Sequence, residues 1–431
     1  MKFPSSSKPI YLGFFASLVA LCLTVFRGIN QTFQNDAQGY VTEARGMLNG
    51  WIYMQENPGL FGHGFGFTGL IFLTLLVTNL KSLILIKMIL VVGHGIATYF
   101  IAKIGIEIGL REKYWVCASL FFALDPFMIF AATDVQTESV TTLIVLWWCL
   151  LYISPKSERV KPQLLLTIFF LSGAYLVLVK PNTLLPFTFL SIAMYFRFRS
   201  SGTSKHLFAL PAAIFLGVMF LYHIFLFKLY SGFVFLSTVG GSSAQMMCRT
   251  EFIPQFFGFV SAAENERINS IVLQSTTSAD LLLANPTLSI PEVNRELASI
   301  GLDTCLANPL SSIWVLLVKA FALWRPFTVF GAYGIEVVIF SLLLWVPLTL
   351  ATIWFLLQKE MSPKCILLKK YFIVISIGFT LSLLLTPTQI RHRVAFAEPF
   401  YWVFFLYFLQ HVVSIKGKGS GDSNLTPPYQ K

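Results

Sequence analysis

The sequence predicts an all-α, polytopic membrane protein, and its composition supports this fold class. Hydrophobic residues make up 56% of the 431 residues, charged residues make up only 12%, and mean hydropathy is +0.72. A soluble domain carries about 25% charged residues, which it needs to cover its surface. A chain this poor in charge can instead be surrounded by lipid, because lipid-facing residues need not be polar.

Ten apolar segments approach the length of about 20 residues that a helix needs to cross a bilayer. We predict spans at approximately 10–26, 82–106, 114–133, 136–153, 163–179, 183–197, 207–228, 335–357, 370–387 and 394–414. Segment 66–80 is apolar but short, which favours a juxtamembrane or re-entrant helix. The first segment is taken as a span because no convincing signal-peptidase site follows it.

The net charge of +11 is spread over short basic runs between apolar segments, as in the positive-inside pattern of membrane proteins. This spread argues against nucleic-acid binding, for which basic residues cluster in a patch. Loops near 103–113, 156–161, 197–205 and 359–370 are basic, whereas 229–310 has seven acidic and three basic residues. Both termini are therefore predicted to be cytoplasmic.

The spans divide the chain into four parts. We predict an N-terminal transmembrane module (1–228) with a first outer loop (27–81), a large extracytoplasmic loop (229–334) with an interfacial helix, C-terminal transmembrane helices (335–414) and a disordered cytoplasmic tail (415–431). The large outer loop contains Cys248 and Cys305. A disulfide between them is expected in an oxidising compartment, and two free thiols are the alternative.

The first outer loop contains two candidate functional residues. Asp36 follows the first span closely, where a carboxylate at the lipid–water boundary can deprotonate an acceptor hydroxyl. The alternative is that Asp36 caps a helix predicted from Ala37 to Leu48. His63 lies in a Gly-rich stretch and could contact substrate or a metal, although a lone histidine there is more often a surface residue.

Acidic residues also stand between the third and fourth predicted spans. Asp134 and Glu138 are four residues apart, so they share a face if one continuous helix carries both. Carboxylates at the end of a membrane helix are costly unless they are hydrated or paired. They could line a polar cavity or bind a cation, and a solvated turn is the alternative.

Three basic residues on the predicted outer side go against the charge bias. Lys180 is isolated between two apolar helices, and Arg391 and Arg393 precede the last predicted span. The guanidinium group binds phosphate through a planar fork of donors, which suits a lipid phosphate or pyrophosphate. The alternatives are that Lys180 snorkels to the interface and that the arginines anchor lipid headgroups.

Together these motifs resemble the GT-C glycosyltransferases, especially the bacterial relatives of the dolichyl-phosphate-mannose protein mannosyltransferases. The resemblance rests on Asp36 with Tyr40, on the hairpin from Asp125 to Glu138, on Leu178 to Asn182, and on Arg391 to Phe400. It covers about residues 10–410. Each motif alone is degenerate, so the specificity comes from their order and predicted topology.

The resemblance implies an inverting transfer of a sugar from a polyprenyl-phosphate donor to an acceptor hydroxyl on the non-cytoplasmic face. Asp36 would be the general base, and Lys180, Arg391 and Arg393 would hold the departing phosphate. The acceptor would be a lipid, a glycan or a protein. Relatives often have two adjacent acids in the first loop, whereas this chain has Asn35-Asp36, which leaves use of a divalent metal open. The residues that would line the cavity or bind the acceptor are Tyr40, His63, Asp134 and Glu138.

Two other function classes stay open. A lipid-linked oligosaccharide transporter, flippase or polymerase would also have many helices and outer arginines. A transporter should carry broken helices, polar residues at mid-membrane and inverted repeats, and the sequence shows few mid-span charges and no repeat. A non-catalytic scaffold would tolerate the loss of Asp36. Soluble ATP-driven chemistry is not predicted, because no Walker loop or dinucleotide fingerprint is present.

Overall fold

The computed structural model describes most of the chain as helices joined by short connections. The described residues are 7–33, 35–56, 64–78, 82–154, 161–200, 206–234, 236, 240–257, 260–261, 263–264, 266–268, 270, 278–325, 335–384 and 395–419. All regular elements in these ranges are helical, which confirms the predicted all-α class. The first eleven helices are α1 (Lys8–Arg27), α2 (Asn35–Gly46), α3 (Gly50–Glu56), α4 (Phe65–Val77), α5 (Ile84–Glu107), α6 (Glu112–Ala123), α7 (Pro126–Thr133), α8 (Thr137–Ile153), α9 (Pro162–Val179), α10 (Leu184–Ser200) and α11 (His206–Tyr230).

Eight further α-helices whose bounds the structure describes follow along the chain. They are α12 (Gly240–Gln245), α13 (Ile253–Phe257), α14 (Ser278–Ala284), α15 (Ile290–Ala307), α16 (Pro309–Trp324), α17 (Ile335–Leu357), α18 (Pro363–Leu384) and α19 (Glu398–Gly419). The last helix continues past the boundary predicted at residue 414, so the beginning of the predicted disordered tail is helical.

Six described helices are long and apolar enough to cross a membrane: α1, α5, α9, α11, α17 and α18. Two bent pairs also pass when taken together, α6 with α7 at 51° and α15 with α16 at 108°, which gives up to eight spans. The chain is therefore an α-helical, multi-pass membrane protein. The count of ten stays a prediction, because helices α8 and α10 have only 17 residues each. Of the apolar segment 66–80, the residues up to Val77 belong to the 13-residue helix α4.

Small residues allow the first span to approach the bundle closely. A Cβ atom on Gly13 of α1 would lie 2.7 Å from the carbonyl oxygen of Gly95 on α5. Without a hydrophobic driving force between helices in lipid, such close backbone contact is a main source of association. A bulky side chain at either position would therefore separate α1 from α5.

An aromatic cluster supports the middle of the bundle between α8, α9 and α10. The rings of Trp148, Phe169 and Phe187 lie with centroids 5.2–5.5 Å apart. Gly173 provides the space for Phe187, since a Cβ atom there would lie 2.1 Å from that ring. The Trp148 indole donates a hydrogen bond of 2.9 Å to Ser172 Oγ, which satisfies its buried N–H group.

Contacts between helix termini define two ends of the bundle. At the first, which we call the basic end, Lys8 pairs with Glu112 and Lys364 pairs with Glu107. Gln410 of α19 lies at the same end. At the opposite end, the last turn of α1 contacts the junction of α7 and α8, and the end of α9 contacts the start of α8. We call this opposite end the network end.

The region between α11 and α17 forms an outer lobe, defined here as residues 240–325 where they are described. Cys248 and Cys305 form a disulfide within it, the pairing that the sequence raised as an expectation. Lys319 of α16 is fully buried, and its ammonium donates a hydrogen bond of 2.6 Å to the Leu384 carbonyl at the end of α18. A cation at a helix C-terminus is favourable, so this contact ties the lobe to the bundle.

Candidate functional site

The amphipathic helix α2 brings three ionisable side chains to the network end. Asp36, Tyr40 and Glu43 stand at positions i, i+4 and i+7, which share one helical face. The helix begins at Asn35, two residues before the predicted start. Asp36 therefore lies in the first turn, where a carboxylate interacts favourably with the helix dipole, rather than at the predicted capping position.

Tyr40 lies at the centre of this face. Its side chain is 6% exposed, and its ring meets Phe67 of α4 edge-on at 5.1 Å. The hydroxyl is hydrogen-bonded to the Thr137 side chain. The Tyr40 pKa is raised chiefly by burial and, to a smaller extent, by the nearby Glu138 and Asp36 carboxylates. The phenol therefore stays neutral and links α2 to the start of α8.

Glu138 continues the hydrogen-bond network toward α9. Thr137 Oγ1 donates to Glu138 Oε2 at 3.2 Å, and Lys180 Nζ donates to Glu138 Oε1 at 2.9 Å. The side chains of Glu138 and Lys180 are each only 14% exposed. Lys180 is thus paired with a carboxylate of α8 rather than isolated. Helix α9 ends just before Lys180, because helical backbone is strained in the residue that precedes a proline, here Pro181.

Glu43 is a member of this site that the sequence reading did not select. Thr68 Oγ1 of α4 donates to Glu43 Oε2 at 3.1 Å. Burial raises the Glu43 pKa to about 7, because desolvation disfavours the carboxylate more than the Thr68 hydrogen bond favours it. The seven-residue spacing from Asp36 could have revealed it, since residues seven apart fall on one face of a helix that includes both.

The condition under which Asp134 and Glu138 would share a helical face is not met in the structure. Asp134 follows α7 in an extended conformation, and α8 begins only at Thr137, so no continuous helix joins the two acids. Asp134 is fully buried and accepts hydrogen bonds from the backbone N–H groups of Phe33 and Val135. Its contacts hold the connection between α1 and α2 rather than line an open cavity.

Two cations position the same connection. Lys87 of α5 donates to the carbonyl oxygens of Gly28 at 3.2 Å and Gln31 at 2.6 Å, and it lies within electrostatic reach of Asp134. Arg27 donates to Thr133 Oγ1 at 2.8 Å. Sequence reasoning missed both residues, although a lysine inside an apolar helix is itself a signal of a specific partner.

Asp125, one of the residues behind the family resemblance, has a structural role here. Its carboxylate accepts from the backbone N–H groups of Phe127 at 2.9 Å and Met128 at 3.2 Å, and so caps α7. The other carboxylate oxygen accepts from the Trp402 indole at 3.1 Å, which joins α7 to α19. Pro126 occupies the first helical position, where a missing N–H group costs nothing.

Three of the sequence-selected residues, His63, Arg391 and Arg393, lie outside the described residues. Within the described ranges, no group of three or more His, Cys, Asp or Glu side chains is arranged to hold a metal ion. The site that the described residues form is therefore a network of four helix segments. It contains carboxylates on α2 and α8, a buried phenol and one buried ammonium.

This network offers the elements of a proton transfer next to a cation. Asp36 is half-buried and stands one helical turn from the buried Tyr40, and Glu138 fixes the ammonium of Lys180. A carboxylate can accept a proton, and an ammonium held in a poorly hydrated site stabilises a neighbouring anion strongly. Searches of protein-family models, curated proteins and solved structures find no significant match to this chain.

Proposed function

We propose that the chain is a membrane glycosyltransferase that moves a sugar from a polyprenyl-phosphate donor to an acceptor hydroxyl. The observation that carries the proposal is the convergence of Asp36, Tyr40, Glu138 and Lys180 at the network end of an apolar bundle. These residues come from motifs far apart in sequence that resemble the GT-C pattern. A donor with a polyprenyl chain stays in the bilayer, so its enzyme must hold the reacting groups at a helix end.

In the proposed reaction, Asp36 accepts the proton of the acceptor hydroxyl. The acceptor oxygen forms a bond to the anomeric carbon, the bond from that carbon to the phosphate oxygen breaks, and the phosphate leaves with the electron pair. Attack on the face opposite the leaving group inverts the anomeric configuration. Asp36 is half-buried and so can reach both solvent and a bound acceptor.

Lys180 supports the departure of the phosphate. An ammonium has three N–H donors, so Lys180 can contact a phosphate while it keeps its 2.9 Å bond to Glu138. Glu138, in turn, is held by Thr137, so the cation is fixed before the donor arrives. Fixed charges of this kind act on the transition state without a cost of reorganisation.

We place the reaction on the extracytoplasmic face. The contacts of Lys8, Lys364 and Gln410 collect at the end opposite the network, and that end adjoins the basic loops of the sequence. The positive-inside rule assigns basic loops to the cytoplasm, so the network end faces outward. A reporter fused after residue 419 should then be cytoplasmic, and a cysteine label in the outer lobe should react with impermeant reagents.

The decisive experiment measures sugar release from a panel of radiolabelled polyprenyl-phosphate sugars by purified protein in nanodiscs. Replacement of Asp36 by Asn should lower the rate by about 10²–10⁴-fold, the usual contribution of a general base. The matched control is Asp280→Asn, which changes an exposed aspartate on α14. Both variants should keep the wild-type melting temperature.

Equal rates in wild type and Asp36→Asn would contradict the role of Asp36 and direct attention to Glu43. Failure of every donor, with varied acceptors and divalent metals, would contradict the enzyme itself. A transport assay then tests the transporter alternative. The protein is reconstituted into vesicles made of the same lipids as the nanodiscs, and movement of a fluorescent lipid-linked oligosaccharide is measured.

A further inference from the structure

A polar cavity of about 380 Å³ lies in the outer lobe, and none of its lining residues belongs to the network described above. One wall is the segment that begins at Cys248 and enters a 3₁₀ turn at Thr250–Phe252. The other walls are the end of α15, the connecting Asn308 and the first turn of α16. The cavity therefore occupies the inside of the 108° corner between α15 and α16. Its volume falls in the range of small-molecule sites, roughly 300–1,000 Å³.

The side chains around this corner cavity are polar. They supply one guanidinium, one carboxylate, one amide and four hydroxyl groups, and the principal ones are Arg249, Thr250, Glu251, Thr304, Asn308 and Ser311. Most small-molecule sites are lined predominantly by apolar side chains, so this lining disfavours an apolar ligand. The single guanidinium is offset by the single carboxylate, so it also disfavours a ligand of high net charge.

A ligand that both donates and accepts hydrogen bonds at many positions satisfies such a lining. Arginine only donates, an ionised glutamate only accepts, and amide and hydroxyl groups do both. Neutral sugars present hydroxyl groups of this dual character on all sides. The chemistry of the cavity therefore matches a neutral saccharide better than a phosphate, a peptide terminus or a lipid chain.

The walls are fixed before any ligand binds. The Cys248–Cys305 disulfide joins the first wall to α15, and Ser312 Oγ donates to the Cys305 carbonyl at 2.9 Å across the corner. Close to this disulfide, Gly301 packs against the backbone of Ala244, where a Cβ atom would lie 2.3 Å from a carbonyl oxygen. Preorganised polar groups reduce the entropic cost of binding, which is what a site for a well-hydrated sugar requires.

We propose that the corner cavity of the outer lobe is a binding site for a neutral, hydroxyl-rich saccharide. The cavity adjoins an exposed apolar stripe on α16, in which Leu310, Ile313, Trp314 and Leu317 are 51–84% exposed. The saccharide can therefore be presented either free or as the headgroup of a glycolipid. The proposal stands on the cavity alone and does not depend on the glycosyltransferase activity.

The test is saturation-transfer NMR on the full chain in phosphatidylcholine nanodiscs. The probes are maltose, cellobiose, lactose and mannobiose, with sialyllactose and inorganic phosphate as charged probes. We expect at least one neutral disaccharide to bind, and Arg249→Gln or Glu251→Gln to weaken it at least tenfold. The matched control Glu296→Gln, on an exposed face of α15, should leave binding unchanged. Nanodiscs that contain glucosyl diacylglycerol should compete with the free sugar if the glycolipid is the source.

Three results would overturn the proposal. The first is no binding of any neutral probe, free or as glycolipid, at millimolar concentration. The second is equal binding by wild type and both cavity variants, with melting temperatures that show all proteins folded. The third is binding of only phosphate or sialyllactose, which would identify an anion site. Reduction of the Cys248–Cys305 disulfide gives an independent check, because loss of the fixed wall should weaken sugar binding in protein that stays folded.

Discussion

The two ends of the bundle both carry ion pairs between distant helices, but the pairs differ in their access to water. At the network end, Glu138 and Lys180 are each 14% exposed. At the basic end, Lys8 and Glu112 are 32% and 52% exposed. Charges withdrawn from water must be fixed by a partner, whereas exposed charges are stabilised by water whether or not they pair. Strict geometry is therefore required at one end and optional at the other.

The largest expected effect comes from removing one charge of the buried pair. Lys180→Met should lower the free energy of unfolding by about 3–5 kcal/mol, because Glu138 is left buried without its cation. The measurement is the thermal melting temperature in nanodiscs at neutral pH. The control is Lys364→Met at the basic end, whose side chain is 49% exposed. Similar losses in the two variants would contradict the contrast between the ends.

A second variant tests the packing beside the pair without changing any charge. A Cβ atom on Gly66 of α4 would lie 2.8 Å from the Val179 backbone nitrogen at the end of α9. Gly66→Ala should therefore cost about 1–3 kcal/mol of stability, since backbone cannot move aside as a flexible side chain can. The control Gly217→Ala adds a methyl group in open space on α11 and should be neutral or stabilising. A neutral Gly66→Ala would mean that α4 and α9 are not in close contact.

The network end should also respond to pH through Glu43, whose pKa is raised to about 7 from an ordinary value of 4.5. Between these values the folded protein binds more protons than the unfolded chain, so stability falls as pH rises from about 4.5 to about 7 and is level above. We expect a change on the order of 1–2 kcal/mol after allowance for partial exposure. Melting temperatures across this range should show the slope in wild type and in Glu296→Gln, and a shallower slope in Glu43→Gln. An unchanged slope in Glu43→Gln would refute the assignment.

The smallest effect is expected at the basic end. Glu112→Gln should change the stability by less than about 1 kcal/mol, because a partly hydrated pair gains little over two separately hydrated charges. The loss should also shrink as salt is raised from about 0.05 to about 0.5 M, because the Debye length shortens and exposed charges are screened more strongly. Melting curves at the two salt concentrations measure this, and a loss comparable to that of Lys180→Met would contradict the contrast.

Sequence reasoning predicted the helical membrane class because that class follows from composition and segment length alone. It also selected Asp36, Tyr40, Glu138 and Lys180, which the structure brings together. Their proximity could not be derived from spacing, since it depends on which helices are neighbours. The order of motifs in the resembled family was what pointed to a common site.

The errors came from local backbone that periodicity does not reveal. The four-residue spacing of Asp134 and Glu138 would place both acids on one face only of a continuous helix, but α7 ends at Thr133 and α8 begins at Thr137. Asp125, which belongs to the hairpin behind the family resemblance, caps a helix in a way typical of Asp before Pro. In both cases the side chain satisfies nearby backbone N–H groups.

The described members of the network all precede residue 181, so they are synthesised when fewer than half of the 431 residues have left the ribosome. Helices α1 to α9 can therefore assemble these contacts while the outer lobe does not yet exist. The hydrogen bond from Lys319 to the Leu384 carbonyl can form only when Leu384 is available, close to the end of synthesis. The contacts of the proposed chemical centre can therefore form before this late contact between the lobe and the bundle.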